Sequence, residues 1–193
     1  MKLKLTLLPF ILTLLILQGC AGGLIVVAGT AVAVSSDERS FTTQISDDQL
    51  ALAALDKITE LGINQRDIRI NLITNNSNLL IIGQVNNEAQ KQMIGDKLKT
   101  LTKVKQVYNQ LRISKPIGFT QQSKDSWITT KAKSQLTAHD EINPFKIKVI
   151  TENGELFLIG RVNKATADSA TNICRKISGV KRVNRVFHII PNK

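Results

Sequence analysis

The sequence predicts an α+β fold built as two tandem copies of one small module, on three observations. Residues 150–163, ITENGELFLIGRVN, repeat residues 73–86, ITNNSNLLIIGQVN, with eight of the fourteen positions identical. The apolar spacing around each copy follows one order: helix, strand, strand, helix, strand. A chain of 193 residues has room for two modules of about 70 residues, each near the size at which a single core only just suffices.

The chain opens with an export signal. Lys2 and Lys4 precede an apolar run from Leu5 to Leu17 broken only by Thr6, Pro9 and Thr13, the length of a signal-peptide core. The run ends in Leu17-Gln18-Gly19-Cys20, which resembles a bacterial lipobox; that resemblance implies diacylglycerol on the Cys20 sulfur and cleavage before it. A membrane-spanning helix is the competing reading, since no charge appears between Lys4 and Asp37. Gly19, Gly22, Gly23 and Gly29 make a poor helix interior, so residues 1–19 are read as signal peptide and 20–45 as a lipidated apolar tether. Ala21 after the cysteine, where Asp would signal retention, resembles the sorting pattern for the outer membrane. With Cys20 acylated, Cys174 has no disulfide partner and reads as a small buried hydrophobe on a helix face.

The first module is placed at residues 46–114. Ser46 and Gln49 have capping-box spacing, Leu50, Ala54, Ile58 and Leu61 follow at helical spacing, and Gly62 is a stop. Ile68, Ile70 and Leu72 alternate as one strand face, Asn75 to Asn78 form a turn, and residues 79–85 return as a second strand. Asn87 and Glu88 begin a helix with Ala89, Met93, Leu98 and Leu101 inward, and Val107, Leu111 and Ile113 mark a third strand. Pro116 and Gly118 fall in a linker, residues 115–124.

The second module, residues 125–191, has the same order: a helix at 127–137, strands at 145–151 and 156–162, a helix at 165–177 and a strand at 183–190. Each strand-helix-strand portion predicts a crossover that sets the second and third strands parallel. Each module is then a three-stranded mixed sheet with two helices on one face, its other face left to meet the sister module or solvent.

An αββαβ unit with an IGxVN strand end and a closing GVKRVNRVFHI or KVKQVYNQLRI resembles the BON domain, a small bacterial envelope module. Two such units behind a lipobox, joined by KPIGF and followed by WITTKAKSQL, resemble the division- and outer-membrane-localised lipid-binding lipoproteins. The resemblance implies binding of anionic phospholipid, such as phosphatidylglycerol or cardiolipin, through the second BON domain, support of outer-membrane integrity, and a place at the division site.

Charge supports the same division of labour. Residues 37–114 carry ten basic and nine acidic side chains, whereas residues 115–193 carry fourteen and six, nets of +1 and +8. A cationic domain held near a bilayer meets anionic head groups, each Lys or Arg contributing about 1 kcal/mol. Trp127 marks the contact: with Ile128, Ala132 and Leu136 facing the core, Trp127, Thr130, Lys131 and Ser134 form an adjoining face, extended by Phe119, Ile117 and Lys124. Indole favours the bilayer interface, and a lysine one turn away can lay its stem on acyl chains and its amine on phosphate. The competing reading packs Trp127 on the sister domain or the core edge. Lys181, Arg182, Arg185, Arg175 and Lys176 read as solvated faces, and export argues against nucleic acid as partner.

No catalytic residue, metal site or cofactor is assigned. His139 and His188 lack ligand spacing, and neither a nucleophile motif nor a phosphate-cradling glycine loop is present. Two functions remain: a lipid-binding outer-membrane lipoprotein, or an adaptor whose free sheet face or Trp127 patch docks an envelope partner such as the outer-membrane barrel assembly machinery.

Overall fold

The structure, a computed structural model, describes residues 26–27, 30–31, 41–64 and 66–191. The signal peptide, Cys20 and most of the tether lie outside the described residues. The chain divides into two bodies, Met1–Ser36 and Asp37–Lys193. In the first, Val26–Val27 pairs antiparallel with Thr30–Ala31.

The second body contains both modules. The first runs α1 (Phe41–Thr59), β1 (Arg69–Asn75), β2 (Asn78–Val85), α2 (Glu88–Lys99) and β3 (Gln106–Ile113). The second runs α3 (Phe119–Thr137), a 3-10 turn (Pro144–Lys146), β4 (Ile147–Glu152), β5 (Glu155–Val162), α4 (Lys164–Cys174) and β6 (Arg182–Ile189). Each sheet is a hairpin extended by a parallel third strand, in the orders β1-β2-β3 and β4-β5-β6.

The repeated glycine has a steric cause. A Cβ at Gly83 would collide with the Arg69 carbonyl oxygen, and one at Gly160 with that of Lys146. Both sit where the neighbouring strand's backbone approaches closest, so only glycine fits. The hairpin turns are also alike. Asn76 and Ser77 in the first, and Asn153 and Gly154 in the second, have positive φ, as tight primed turns require.

Several boundaries differ from expectation. The first helix begins at Phe41, five residues before the anticipated cap, so Ser46 lies inside it. The next residue is an acceptor for a distant turn: the buried Asp47 carboxylate accepts the Asn76 and Ser77 amides at 2.9 and 2.8 Å. Asp125 does the same in α3, accepting Asn153 and Gly154 at 2.7 and 2.8 Å. Each helix thus pins the hairpin turn of its own sheet by satisfying two backbone donors that would otherwise lack partners. The second helix of the first module does start at Asn87, whose side chain caps Gln90. Its inward face is shifted by one residue. Ile94 and Leu98 are buried, whereas Met93 is 42% exposed and Ala89 is also outside.

Between the modules, α3 starts at Phe119, not 127, so six of the ten residues of the expected linker are helical. Gly118, extended at φ −79°, ψ 174°, is its N-cap. The helices cover one face of each sheet, enclosing separate cores around Leu79, Ile81, Ile94 and Leu98 and around Ile128, Leu136, Leu156 and Leu158.

The opposite sheet faces are not free. Ile73, Leu80 and Ile82 of the first sheet pack against Phe157 and Ile159 of the second, with Tyr108, Ile150 and Val186 at the margin. Polar contacts surround this third core. Glu152, 6% exposed, accepts Arg69 Nε, Asn71 Nδ2 and Gln84 Nε2 at 2.9, 2.8 and 2.9 Å. Glu155 receives a two-pronged pair from Arg112 at 2.8 and 2.7 Å. Gln84 also accepts the Ile117 amide at 3.1 Å, so the linker is tied to the same cluster. The two domains therefore form one body.

Three outcomes follow. Asp125→Ala leaves two turn amides without a carboxylate and should cost about 2 kcal/mol, read as a melting temperature several degrees lower, while Asp48→Ala on the exposed face of α1 should change it little. Glu152→Ala strands Arg69 and Gln84 between the sheets and should cost about 3 kcal/mol in denaturant titration. The third concerns pH. Hydrogen bonding to Arg112, reinforced by Asn184, holds the Glu155 carboxyl below its ordinary value of 4.5 against the opposing effect of burial. A depressed folded pKa stabilises above the unfolded value, and that stabilisation is lost as pH falls through the folded one. Stability should decline below about pH 4.5, less steeply in Glu155→Gln, when melting is followed against pH.

Candidate functional site

The 19 residues of α3 contain neither glycine nor proline, and one side of the helix is already committed. Asp125, Ile128, Ala132 and Leu136 are buried, as the apolar spacing requires. The other side is unclaimed by either domain. Trp127 is 55% and Phe119 84% exposed. Lys124, Thr130, Lys131 and Ser134 are exposed as well.

These residues form a continuous stripe. Positions 127, 130, 131 and 134 succeed one another at spacings of three and four, and 119, 123 and 127 continue the row toward the helix start. Lys124 lies one turn before Trp127, and Lys131 one turn after it. Neither lysine makes an ion pair among the described residues. The hydroxyls on this side bend back onto the helix: Thr130 Oγ1 donates to the Ser126 carbonyl and Ser126 Oγ to that of Gln122, both at 3.0 Å. Those hydroxyl protons are spent on the helix backbone, so the strip is less polar than its composition suggests. Ile117 does not join it. That residue is half-buried, its amide held by Gln84.

The equivalent face in the first domain has the opposite chemistry. Register through the buried pairs Asp47–Asp125, Leu50–Ile128 and Ala54–Ala132 places Gln49, Leu52, Ala53 and Asp56 at the positions of Trp127, Thr130, Lys131 and Ser134. The α1 face carries exposed Leu52 and Leu55 between Asp48 and Asp56, with Phe41 at the position of Phe119 but no counterpart of the tryptophan.

The remaining candidates have structural roles. Cys174 is buried in the second core, and burial pushes its thiol up to about 11, so it remains protonated and unreactive near neutrality. Arg185 and Lys164 both pair with Asp168 at 2.8 and 2.7 Å, and Lys181 reaches Asn153 at 3.1 Å. Those cations are engaged in surface pairs. Among the described residues no cluster of His, Cys, Asp or Glu could hold a metal ion, and no helix is long and apolar enough to cross a membrane.

Sequence reasoning missed the two aspartates that pin the turns and the acidic pair that joins the sheets. Both left signals. Asp47 and Asp125 fall at matching positions of the repeat, and Glu152 and Glu155 stand where the first copy has Asn75 and Asn78.

Comparison with known proteins agrees with this architecture. The BON domain family matches residues 46–115 and again 124–191. The chain is 39% identical over 171 residues to the outer membrane lipoprotein DolP of Haemophilus influenzae, covering 89% of each chain. It is 36% identical over 154 residues to a 21 kDa hemolysin of Actinobacillus pleuropneumoniae, covering 80% of this chain and 79% of that one. Among solved structures, CdsD, a structural protein of the type III secretion system of Chlamydia trachomatis, is similar at 16% identity and a TM-score of 0.32, over 78% of this chain and 93% of its own. Two matched BON domains and a relative aligned along nearly its whole length place this chain in the family of dual BON-domain outer-membrane lipoproteins.

Proposed function

We propose that this lipoprotein, anchored through Cys20, binds anionic phospholipid with the outward face of α3 and so supports outer-membrane integrity where such lipid is rich, the division site included. The observation that carries this reading is the exposed stripe of Phe119, Trp127 and two lysines without an ion pair among the described residues, in a C-terminal half, residues 115–193, with a net charge of +8. Aromatic rings beside cations suit the boundary between head groups and acyl chains, where ring and lysine stem take the apolar side and the amine the phosphate. The acyl anchor contributes affinity by proximity, because it keeps a weak second contact at high effective concentration. On this reading the protein is a binding module, not a catalyst.

The adaptor reading loses half of its support, since the sheet faces are used up between the two domains. Its remaining half, a protein docked on the same α3 stripe, is separated by experiment. Residues 37–193 should co-sediment with phosphatidylglycerol or cardiolipin vesicles, less so as salt rises, and not with phosphatidylcholine vesicles. Lys131→Glu removes one attraction of about 1 kcal/mol and adds a comparable repulsion, so affinity should fall about tenfold or more, with a larger loss for Trp127→Glu. Equal binding to neutral vesicles, or undiminished binding by Trp127→Glu, contradicts the reading.

A further inference from the structure

The outward face of α1 is complementary in chemistry to the α3 stripe. The buried row Asp47, Leu50, Ala54 and Ile58 turns the opposite side of α1 to solvent. On that side Leu52 is 64% and Leu55 52% exposed, and the exposed Asp48 and Asp56 stand before and after them. Glu60, one turn further on, is already paired with Lys57 and Lys97 at 2.7 and 2.9 Å. Asp48 and Asp56 make no ion pair among the described residues.

Spacing matches as well as sign. Asp48, Leu52 and Asp56 succeed one another at i, i+4 and i+8 in the order acid, apolar, acid, and Lys124, Trp127 and Lys131 at i, i+3 and i+7 in the order base, aromatic, base. At a rise of 1.5 Å per residue the two acids lie about 12 Å apart along α1 and the two lysines about 10.5 Å apart along α3. Helices laid side by side in this register set the indole against Leu52 and each carboxylate within the reach of a lysine stem. The flanking charges then select the register, while ring and leucine supply the apolar burial.

The two faces cannot meet within one molecule. The sheets pack on each other through Leu80, Ile82, Phe157 and Ile159, and the helices cover their far sides, so α1 and α3 face outward from opposite sides of the body. A second copy presents what the first lacks. Because every copy carries both faces, the partner is present at the protein's own concentration, and anchoring to the outer membrane confines the copies to one surface, where a weak contact is reinforced.

We propose that the α1 face of one copy docks on the α3 stripe of a second copy when that stripe is not on a bilayer. A pair can be reciprocal, each copy giving its α1 face and receiving on its α3, or the contact can continue to a third copy; the mass rises in both cases. A neighbouring copy and anionic lipid compete for Lys124, Trp127 and Lys131. The competition rests on the lipid reading, whereas the pairing does not and is tested without lipid.

The test uses residues 37–193, which form a compact body with their own cores. At about 0.15 M salt, screening beyond about 8 Å damps the repulsion between two cationic molecules and leaves charges in contact effective. Sedimentation equilibrium should then show a weight-average mass that rises with concentration up to about 1 mM, as a small contact between single helices gives. Two double variants reverse one face each: Asp48→Lys with Asp56→Lys, and Lys124→Glu with Lys131→Glu. All four side chains are exposed, so both variants should keep the wild-type melting temperature. Each alone should self-associate at least about tenfold more weakly, because two attractions become repulsions. An equal mixture of the two should regain association, since each variant's unaltered face fits the other's and their altered faces fit as well. A monomer mass at every concentration, undiminished association in either variant, or a mixture no heavier than its separate components would overturn the proposal. Because no vesicles are present, those results leave the lipid reading standing, and vesicle binding by the Asp48→Lys, Asp56→Lys variant examines that reading separately.

Discussion

Much of this structure depends on the contact between two sheet faces that could each have been left in water. A three-stranded sheet with helices on one side presents its other side as a flat apolar surface, and Ile73, Leu80, Ile82, Phe157 and Ile159 make that surface too costly to expose. Burying the two against each other turns two marginal cores into one body. Burial alone would allow the sheets to slide or rotate, and the buried Glu152 limits this. Its three donors come from two neighbouring strands, Arg69 and Asn71 on β1 and Gln84 on β2, and point at one carboxylate, so displacement of either sheet leaves charge and amide groups without partners.

That junction also determines what is left for function. With the sheet faces consumed, the surfaces open to partners are the outward helix faces and the sheet ends. Because Ile117 is tied through Gln84 to the inter-sheet cluster, the start of α3 is fixed relative to both domains. The α3 stripe is consequently presented from a rigid platform, with little ordering cost when it meets a surface. Duplication made this arrangement available: the first copy supplies bracing and an acidic helix face, and the second supplies cations and the tryptophan.

The module order, the parallel third strand and the pairing of core positions were legible in the sequence because they follow from periodicity and from direct comparison of the copies. Ile128, Ala132 and Leu136 are buried as their spacing requires, and Trp127 points outward. What was not legible depends on contacts distant in sequence. Ser46 has the residue type and spacing of a helix cap, but Asp47 reaches a turn about thirty residues away, and the helix continues through both. Met93 fits an apolar stripe as well as Ile94 does, and only the position of the sheet beneath decides between them. The sheet interface was open for the same reason. A strand with apolar residues on both faces reports that both are covered without saying by what.

The central claim is that the α3 stripe meets an anionic bilayer, and the only tryptophan in the chain reports on it directly. Trp127 emission should shift to the blue and intensify when residues 37–193 are mixed with phosphatidylglycerol vesicles, reverse on addition of salt, and remain unchanged with phosphatidylcholine vesicles. Unaltered emission with the anionic vesicles, or the same shift with both kinds, would contradict it.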